Sequence, residues 1–581
     1  MSSVHNLKSP MRIALRTALW LEPLLLPSFG SKFKTVKFRG SWSPAKILFR
    51  TITLGFQSCR AMATSPTCHT VKEKIELSET EKKIFDRLIG TLRHFGLHNQ
   101  LRVAGGWVRD KLLGKECYDI DIALDNMMGS EFVDKVKEYL LSMREEVQGI
   151  AVIPCNPDQS KHLETARMRL FNSWVDFVNL RCEEYCKNSR IPTKQKFGTA
   201  EEDAYRRDLT INSLFYNINI DSVEDFTKRG ISDLKCGKIV TPLPPKSTFL
   251  DDPLRVLRAI RFGARFEFTL DEELKEAAAS DDVKAALAAK ISRERIGTEI
   301  DLMISGNQPV KAMTFICDLT LFWIVFNLPP NFEPAITDDF DRLCLEFLNT
   351  AWNLIQSIGY STFGDEQKRL SLYSSLFLPF RKTTYNDKKT KKISVVNYIF
   401  RESLKRKASD AEMVIDIHRA SLRFLDLIPY LASKGNDQLV EVKWIKGLDD
   451  VPVSARLRVA TGFLLWEIRE FWRVSLLIST LLYPIDINHT GDKHFHLYKQ
   501  RDLFKSVEDS IVRLGLEKVW DVKQWINGKD VMNVFQLKAG GPLVKEGLEK
   551  AMAWQLAHPS GTAEDCLDWL KQSYSKRAKL E

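Results

Sequence analysis

The chain has 581 residues, 44% of them hydrophobic and 28% charged, with a formal net charge of +10. That length and apolar content allow several buried cores and exclude a disordered or fibrous chain. The excess charge is confined to the start: residues 1–72 hold eleven Lys or Arg against one acid, Glu22, and the remainder carries 74 of each sign. A balanced body argues against indiscriminate polyanion binding, so any nucleic-acid contact must use local basic patches.

Residues 1–70 combine scattered arginines, many Ser and Thr, and short apolar patches such as Ile13-Ala14-Leu15 and Leu19-Trp20-Leu21. They read as an organellar transit peptide. Glu22, Pro23 and Pro27 break the apolar run, so neither a membrane span nor a secretory signal fits, and no membrane association is expected. The leader predicts a mitochondrial product, with the plastid as a second destination. Met62 either starts a shorter product for the cytosol or nucleus or is simply an internal residue. Ten scattered cysteines without Cys-x-x-Cys spacing predict reduced thiols rather than a zinc ribbon or disulfide framework.

A charged helix is expected around Thr80–Phe95, and residues 104–122 follow it with the most informative stretch of the chain. Gly105 and Gly106 permit close approach of backbone to phosphate oxygens, the next helix start offers free N–H groups, and Arg109 adds a cationic fork. In a strand, Asp119 and Asp121 project to one side while Ile120 and Ile122 bury the other, so two oxygen ligands converge where Mg²⁺ would sit. Val175–Arg181 reads as another strand, and its Asp176 is a candidate third metal-side carboxylate. Thr199–Asp203 reads as an acidic helix N-terminus.

Arg206, Arg207 and Asp208 come next: guanidinium groups suit phosphate and the carboxylate suits a ribose hydroxyl. In Asp251-Asp252-Pro253-Leu254-Arg255, helical spacing makes Asp252 and Arg255 neighbours, with Arg258 and Arg261 continuing the same charged face. An ordinary exposed helix with an i,i+3 ion pair is the plain alternative.

Three motifs in this order, Gly-Gly-Trp-Val-Arg-Asp with Asp-Ile-Asp, then Arg-Arg-Asp, then Asp-Asp-x-x-Arg, resemble the class II tRNA nucleotidyltransferases and the related bacterial poly(A) polymerases. The overall sequence looks like eukaryotic, plant-type members. Asp251 departs from the family's usual Glu but keeps its charge. The resemblance implies an α+β architecture: a polymerase-beta-like domain with a small mixed sheet, then an all-α region. The expected divisions are a leader (1–70), catalytic head (71–220), helical neck (221–330), body (331–480) and tRNA-binding tail (481–581).

It also implies template-independent addition of C, C and A to the tRNA 3′ end from CTP and ATP, with Mg²⁺ on Asp119 and Asp121 and no obligate protein partner. Gly106, Arg109, Arg206, Arg207, Asp208, Asp252, Arg255, Arg258 and Arg261 would bind the nucleotide. The Asp252/Arg255 pair can replace a template base. Cytosine and adenine each present an exocyclic amino donor beside a ring-nitrogen acceptor, which one carboxylate and one guanidinium satisfy. Guanine and uracil reverse that order and would leave groups unpaired, at roughly 1–3 kcal/mol each.

Past Leu254 strand signals fade and helical periodicity takes over at Ile291–Ile304, Phe340–Ile358 and Val440–Leu477. Ser292–Ile300 resembles the family's pocket-buttressing helix. Trp472–Pro484 is too short for a bilayer span and reads as core. Lys187–Lys196 and Arg381–Lys392 are candidate RNA patches, and Gly540-Gly541-Pro542 is expected to end one helix and start the next. Three rivals share these features: a poly(A) polymerase, an enzyme restricted to CC or A addition, and an inactive RNA-binding homologue. The last would be expected to lose a metal carboxylate, and both are present.

Overall fold

The computed structural model describes residues 69–577 except 154–163, 185–193, 331, 333–336, 338, 388–389, 434–441, 443, 446–450 and 485–492. The leader, with Met62, lies outside the described residues, as does most of Lys187–Lys196. Everything below concerns the compact unit that begins at Pro66.

A seven-stranded mixed sheet organises the first part. Its strands are β1 (Leu101–Ala104), β2 (Ile120–Leu124), β3 (Ile150–Ile153), β4 (Thr165–Leu170), β5 (Ser173–Asn179), β8 (Phe215–Asn217) and β9 (Ser222–Glu224), in the order β3-β4-β5-β2-β1-β8-β9. The short β6 (Arg181–Glu184) and β7 (Lys194–Phe197) pair separately. Only β2 and β5 run parallel within the large sheet, and their register sets Asp121 beside Asp176. The last strand lies beyond residue 220, so the sheet outruns the expected head boundary.

Helix α1 (Glu79–His94) starts at Ser78, which caps it reciprocally with Glu81. Glu81 also accepts from the Trp107 indole at 2.9 Å and pairs with Lys111 at 2.7 Å, so one buried carboxylate ties α1 to α2 (Gly106–Leu112). Buried polar groups must be satisfied, and this arrangement fixes the turn that precedes Asp119.

Helices dominate after the sheet. Helix α3 (Pro245–Asp251) and α4 (Leu254–Arg265) are separate elements with Asp252 between them, in an extended conformation at φ −131° and ψ 96°. The expected single helical face is therefore corrected. Pro253 disfavours the helical region for its predecessor and supplies no N–H, so the chain breaks at Asp252. Arg255, Arg258 and Arg261 do lie on α4.

Helix α5 (Arg293–Ile304) packs against α4 and the body; a Cβ on Gly297 would run into the Leu404 carbonyl oxygen, so only glycine allows that approach. The long helices α6 (Phe340–Ile358), α7 (Ala408–Ala432), α8 (Val453–Ile468) and α9 (Trp472–Leu482) build the following core, with Trp472 fully buried. The helical periodicity expected over Val440–Leu477 is carried by α8 and α9, which Arg469 separates at a φ of +51°; residues 440–441, 443 and 446–450 of that stretch lie outside the described residues.

The region is not purely helical. Lys238–Ile239 pairs in parallel with Thr269–Leu270, and Thr384–Asn386 with Lys392–Ser394 as a hairpin. Of the basic run at Arg381–Lys392, residues 384–386 and Lys392 belong to this pair of strands, and Lys388 and Lys389 lie outside the described residues. Near the end, α10 (Gly528–Val534) stops well before Gly540, and Pro542 opens α11 (Pro542–Ala557); the glycine pair is loop rather than a helix end. Among the described residues no helix is long and apolar enough to cross a membrane.

Candidate active site

The carboxylates of Asp119, Asp121 and Asp176 converge, each offering an oxygen within 4.8 Å of the others. Alternation in β2 produces this: Ile120 and Ile122 fill the core while Asp121 faces the cleft, and Asp119 precedes the strand on the same side. Burial, with Asp119 and Asp176 alongside, pushes the Asp121 carboxyl up to about 6. Arg207 and Arg167 offset part of that shift. Arg167 grips Asp176 through two bonds of 2.5 and 2.7 Å. Three hard oxygen donors without nitrogen or sulfur suit Mg²⁺, whose positive charge would offset the burial and the neighbouring carboxylates that raise Asp121.

Beside this cluster, Gly105 adopts φ +71°, and a Cβ there would meet the Arg207 guanidinium at 2.7 Å. Gly105 is therefore the glycine the turn requires, and Gly106 has ordinary helical backbone. Arg109 is only 3% exposed; it lies over the rings of Phe262 and Phe266 at 4.9 and 4.7 Å. It donates to Asp110 at 2.8 Å and to Asn212 through a short bond. The fork expected to face a triphosphate is instead packed beneath the turn.

Asp203 organises the Arg-Arg-Asp segment. It is 1% exposed, and its two oxygens accept from Arg206 (2.8 Å to Nε) and Arg207 (2.8 Å to Nη2). Burial opposes its charge, but Arg207 and Arg206 outweigh that and hold its pKa down at about 2. Asp203 lies on the short helix Ala200–Tyr205, which Thr199 and Glu202 cap reciprocally, as the acidic N-terminus predicts. In the sequence, Asp203 is legible only as part of that acidic run.

Asp208 connects the segment to α4. It accepts from Arg258 at 2.7 Å and from Asn212 at 3.1 Å. Full burial opposes its charge, but Arg258, Asn212 and the nearby Arg255 outweigh that and hold its pKa down at about 2. Arg261 donates to Glu299 of α5 at 2.7 Å. Arg255 donates to the Arg206 carbonyl at 2.7 Å, while Asp252 accepts from Arg295 at 3.2 Å and from the Leu254 amide. The motifs thus meet at one cleft. Asn212, Arg295 and Glu299 are additional members that spacing alone does not single out.

Comparison with known proteins gives a consistent result. The family described as "Poly A polymerase head domain" matches residues 101–240. The chain is 32% identical over 515 residues to a tRNA nucleotidyltransferase of Schizosaccharomyces pombe, covering 86% of this chain and 99% of that protein. It is 34% identical to a mitochondrial CCA tRNA nucleotidyltransferase of Saccharomyces cerevisiae, covering 86% and 94% respectively. Among solved structures, the Bacillus stearothermophilus CCA-adding enzyme in complex with CTP superposes with a TM-score of 0.54 at 18% identity, covering 87% of this chain and all of that one. The Thermotoga maritima CCA-adding enzyme complexed with tRNA gives 0.53 at 19%, covering 86% and 96%. At those identities the structural likeness concerns the fold.

Proposed function

The chain belongs to the CCA-adding tRNA nucleotidyltransferase family, and from that premise we propose that it adds C, C and A in turn to the tRNA 3′ end from CTP and ATP, releasing pyrophosphate. The observation that carries the chemistry is the convergence of Asp119, Asp121 and Asp176 at 4.8 Å or less. Asp119 and Asp121 would hold Mg²⁺, with Asp176 as a third carboxylate anchored by Arg167. The ion, when bound, supplies Lewis-acid polarisation of a phosphoryl oxygen and a lower pKa for a bound hydroxyl.

The protein's own groups do the selecting and orienting. Arg207 lies beside the carboxylates and the Gly105 turn, where it can reach the triphosphate, with Gly106 allowing close backbone approach. Arg206 adds charge, and Asp208 holds Arg258 in place and meets the ribose. Arg109 supports the turn from below. Arg258 and Arg261 line the pocket, braced by Asp208 and Glu299. Asp252 and Arg255 read the base, and Arg295 steadies Asp252.

The leader directs the product to the mitochondrion, a reading supported by mitochondrial naming of the Saccharomyces relative. A plastid destination, the plant-type likeness and a second product from Met62 rest on the sequence alone. A tagged Met62 product found only in organelles would contradict the last.

The test of the carboxylate assignment is Asp119→Ala. It should abolish incorporation of every nucleotide while tRNA binding, measured by filter retention, stays within about twofold. Turnover persisting with binding lost would overturn it.

A further inference from the structure

The loop between α2 and β2 carries chemistry the nucleotide site does not use. Tyr118, directly before Asp119, is 83% exposed and makes no ring contact or hydrogen bond among the described residues. Leaving so large an aromatic in water beside a reacting centre buries nothing, which is the setting in which exposed aromatics stack on bases. Three residues earlier, Lys115 is exposed and makes no ion pair among the described residues; its ammonium sits 4.6 Å over the Phe266 ring.

Lys115 also rims a cavity of about 380 Å³ whose other walls include Arg265, Met303, Asn307 and Gln308, and which borders the nucleotide pocket through Arg261, itself held by Glu299. Arg265 is half exposed and reaches Asp110 only at 3.6 Å. Partial desolvation of the ammonium against the cavity wall, with Arg265 and Arg109 nearby, holds the Lys115 pKa below its ordinary value, although Asp110 and Glu267 pull the other way. An anion entering the cavity would favour the charged ammonium. Four residues of chain span at most about 14 Å, so this cationic rim lies within a few nucleotides of Asp119.

We propose that this loop and Arg265 form the track for the primer strand, with Tyr118 stacked on a base at the tRNA 3′ end and Lys115 and Arg265 binding a backbone phosphate in the cavity. The inference rests on the reading that tRNA is the acceptor. A single-stranded RNA end supplies both a π-face and a phosphate, whereas the triphosphate of CTP supplies only the second near this wall.

The test uses the full-length protein and a tRNA transcript lacking CCA. Wild-type addition of C, C and A is scored first, because its failure removes the premise rather than the track. Lys115→Ala combined with Arg265→Gln should raise the KM for tRNA about tenfold while the KM for CTP moves less than twofold. The slope of log affinity against log salt should flatten by about 0.7 for each phosphate no longer neutralised. Tyr118→Ala should weaken tRNA binding about tenfold without altering that slope, and Tyr118→Phe, which keeps the ring, should restore it. A rise in the KM for CTP instead would assign the cavity to the nucleotide, and unchanged tRNA affinity in all variants would overturn the track. Lys115→Ala alone, at an exposed side chain, keeps the test decisive if removing the Arg265 guanidinium from Asp110 unfolds the double variant.

Discussion

Asp252 reaches Arg295 at 3.2 Å, although Arg255 is only three residues away in the sequence. Arg295 belongs to α5, so the carboxylate proposed to read the base is oriented by a helix 43 residues further along. Arg255 is held separately, by the Arg206 carbonyl. The two members of the proposed base-reading pair therefore keep distinct partners rather than pairing with each other.

Removing either part of this arrangement should relax nucleotide choice. Asp252→Ala is expected to lose discrimination against GTP and UTP, because a lost carboxylate removes both the attraction to C and A and the penalty against G and U. Arg295→Ala should produce the same phenotype more weakly, since Asp252 remains but is no longer oriented. Misincorporation measured with each nucleotide separately checks this; unchanged fidelity in both variants would refute the assignment.

Asp203 is the second point of control. Its single buried carboxylate orients Arg206 and Arg207, so Asp203→Asn should let both guanidinium groups drift and raise the KM for CTP and ATP on the order of tenfold. The tRNA KM should move far less. Equal increases in all three would point to general unfolding, and a thermal melt of the variant separates the two outcomes.

Much of this site is legible in the residue order alone. The Asp119/Asp121 alternation, the glycine turn and the arginines of α4 are local patterns, and local periodicity sets which side chains share a face. Spacing places Asp252 on that same helix, but the effect of Pro253 on the residue before it outweighs spacing. Pairings such as Arg109 with Asn212 and Arg258 with Asp208 link residues 103 and 50 positions apart, and no spacing rule reaches that far. The role of Asp203 is obscured because an acidic first turn already accounts for a carboxylate there.

Stability should carry a pH signature from His418. This side chain is 3% exposed, its Nε2 lies 2.7 Å from the Ser374 carbonyl, and burial pushes its pKa down to about 4. The folded protein keeps it neutral while the unfolded chain protonates near its ordinary value. Its contribution is thus complete above about pH 6.5 and is lost as pH falls toward about 4. Urea titrations should show about 2 kcal/mol less stability at pH 5 than at pH 7 from this group. His418→Gln should be less stable at pH 7 but have a flatter profile; an identical slope in variant and wild type would contradict the role.

The central claim is that one Mg²⁺-binding carboxylate cluster and one protein-borne base reader together add C, C and A and then stop. The direct measurement incubates the purified protein with tRNA ending at its discriminator base, with CTP and ATP singly and mixed, and sequences the 3′ ends. The account predicts CC with CTP alone, CCA with the mixture, and no extension beyond the terminal A. Poly(A) tails, or products confined to CC or to a lone A in the mixture, would contradict it.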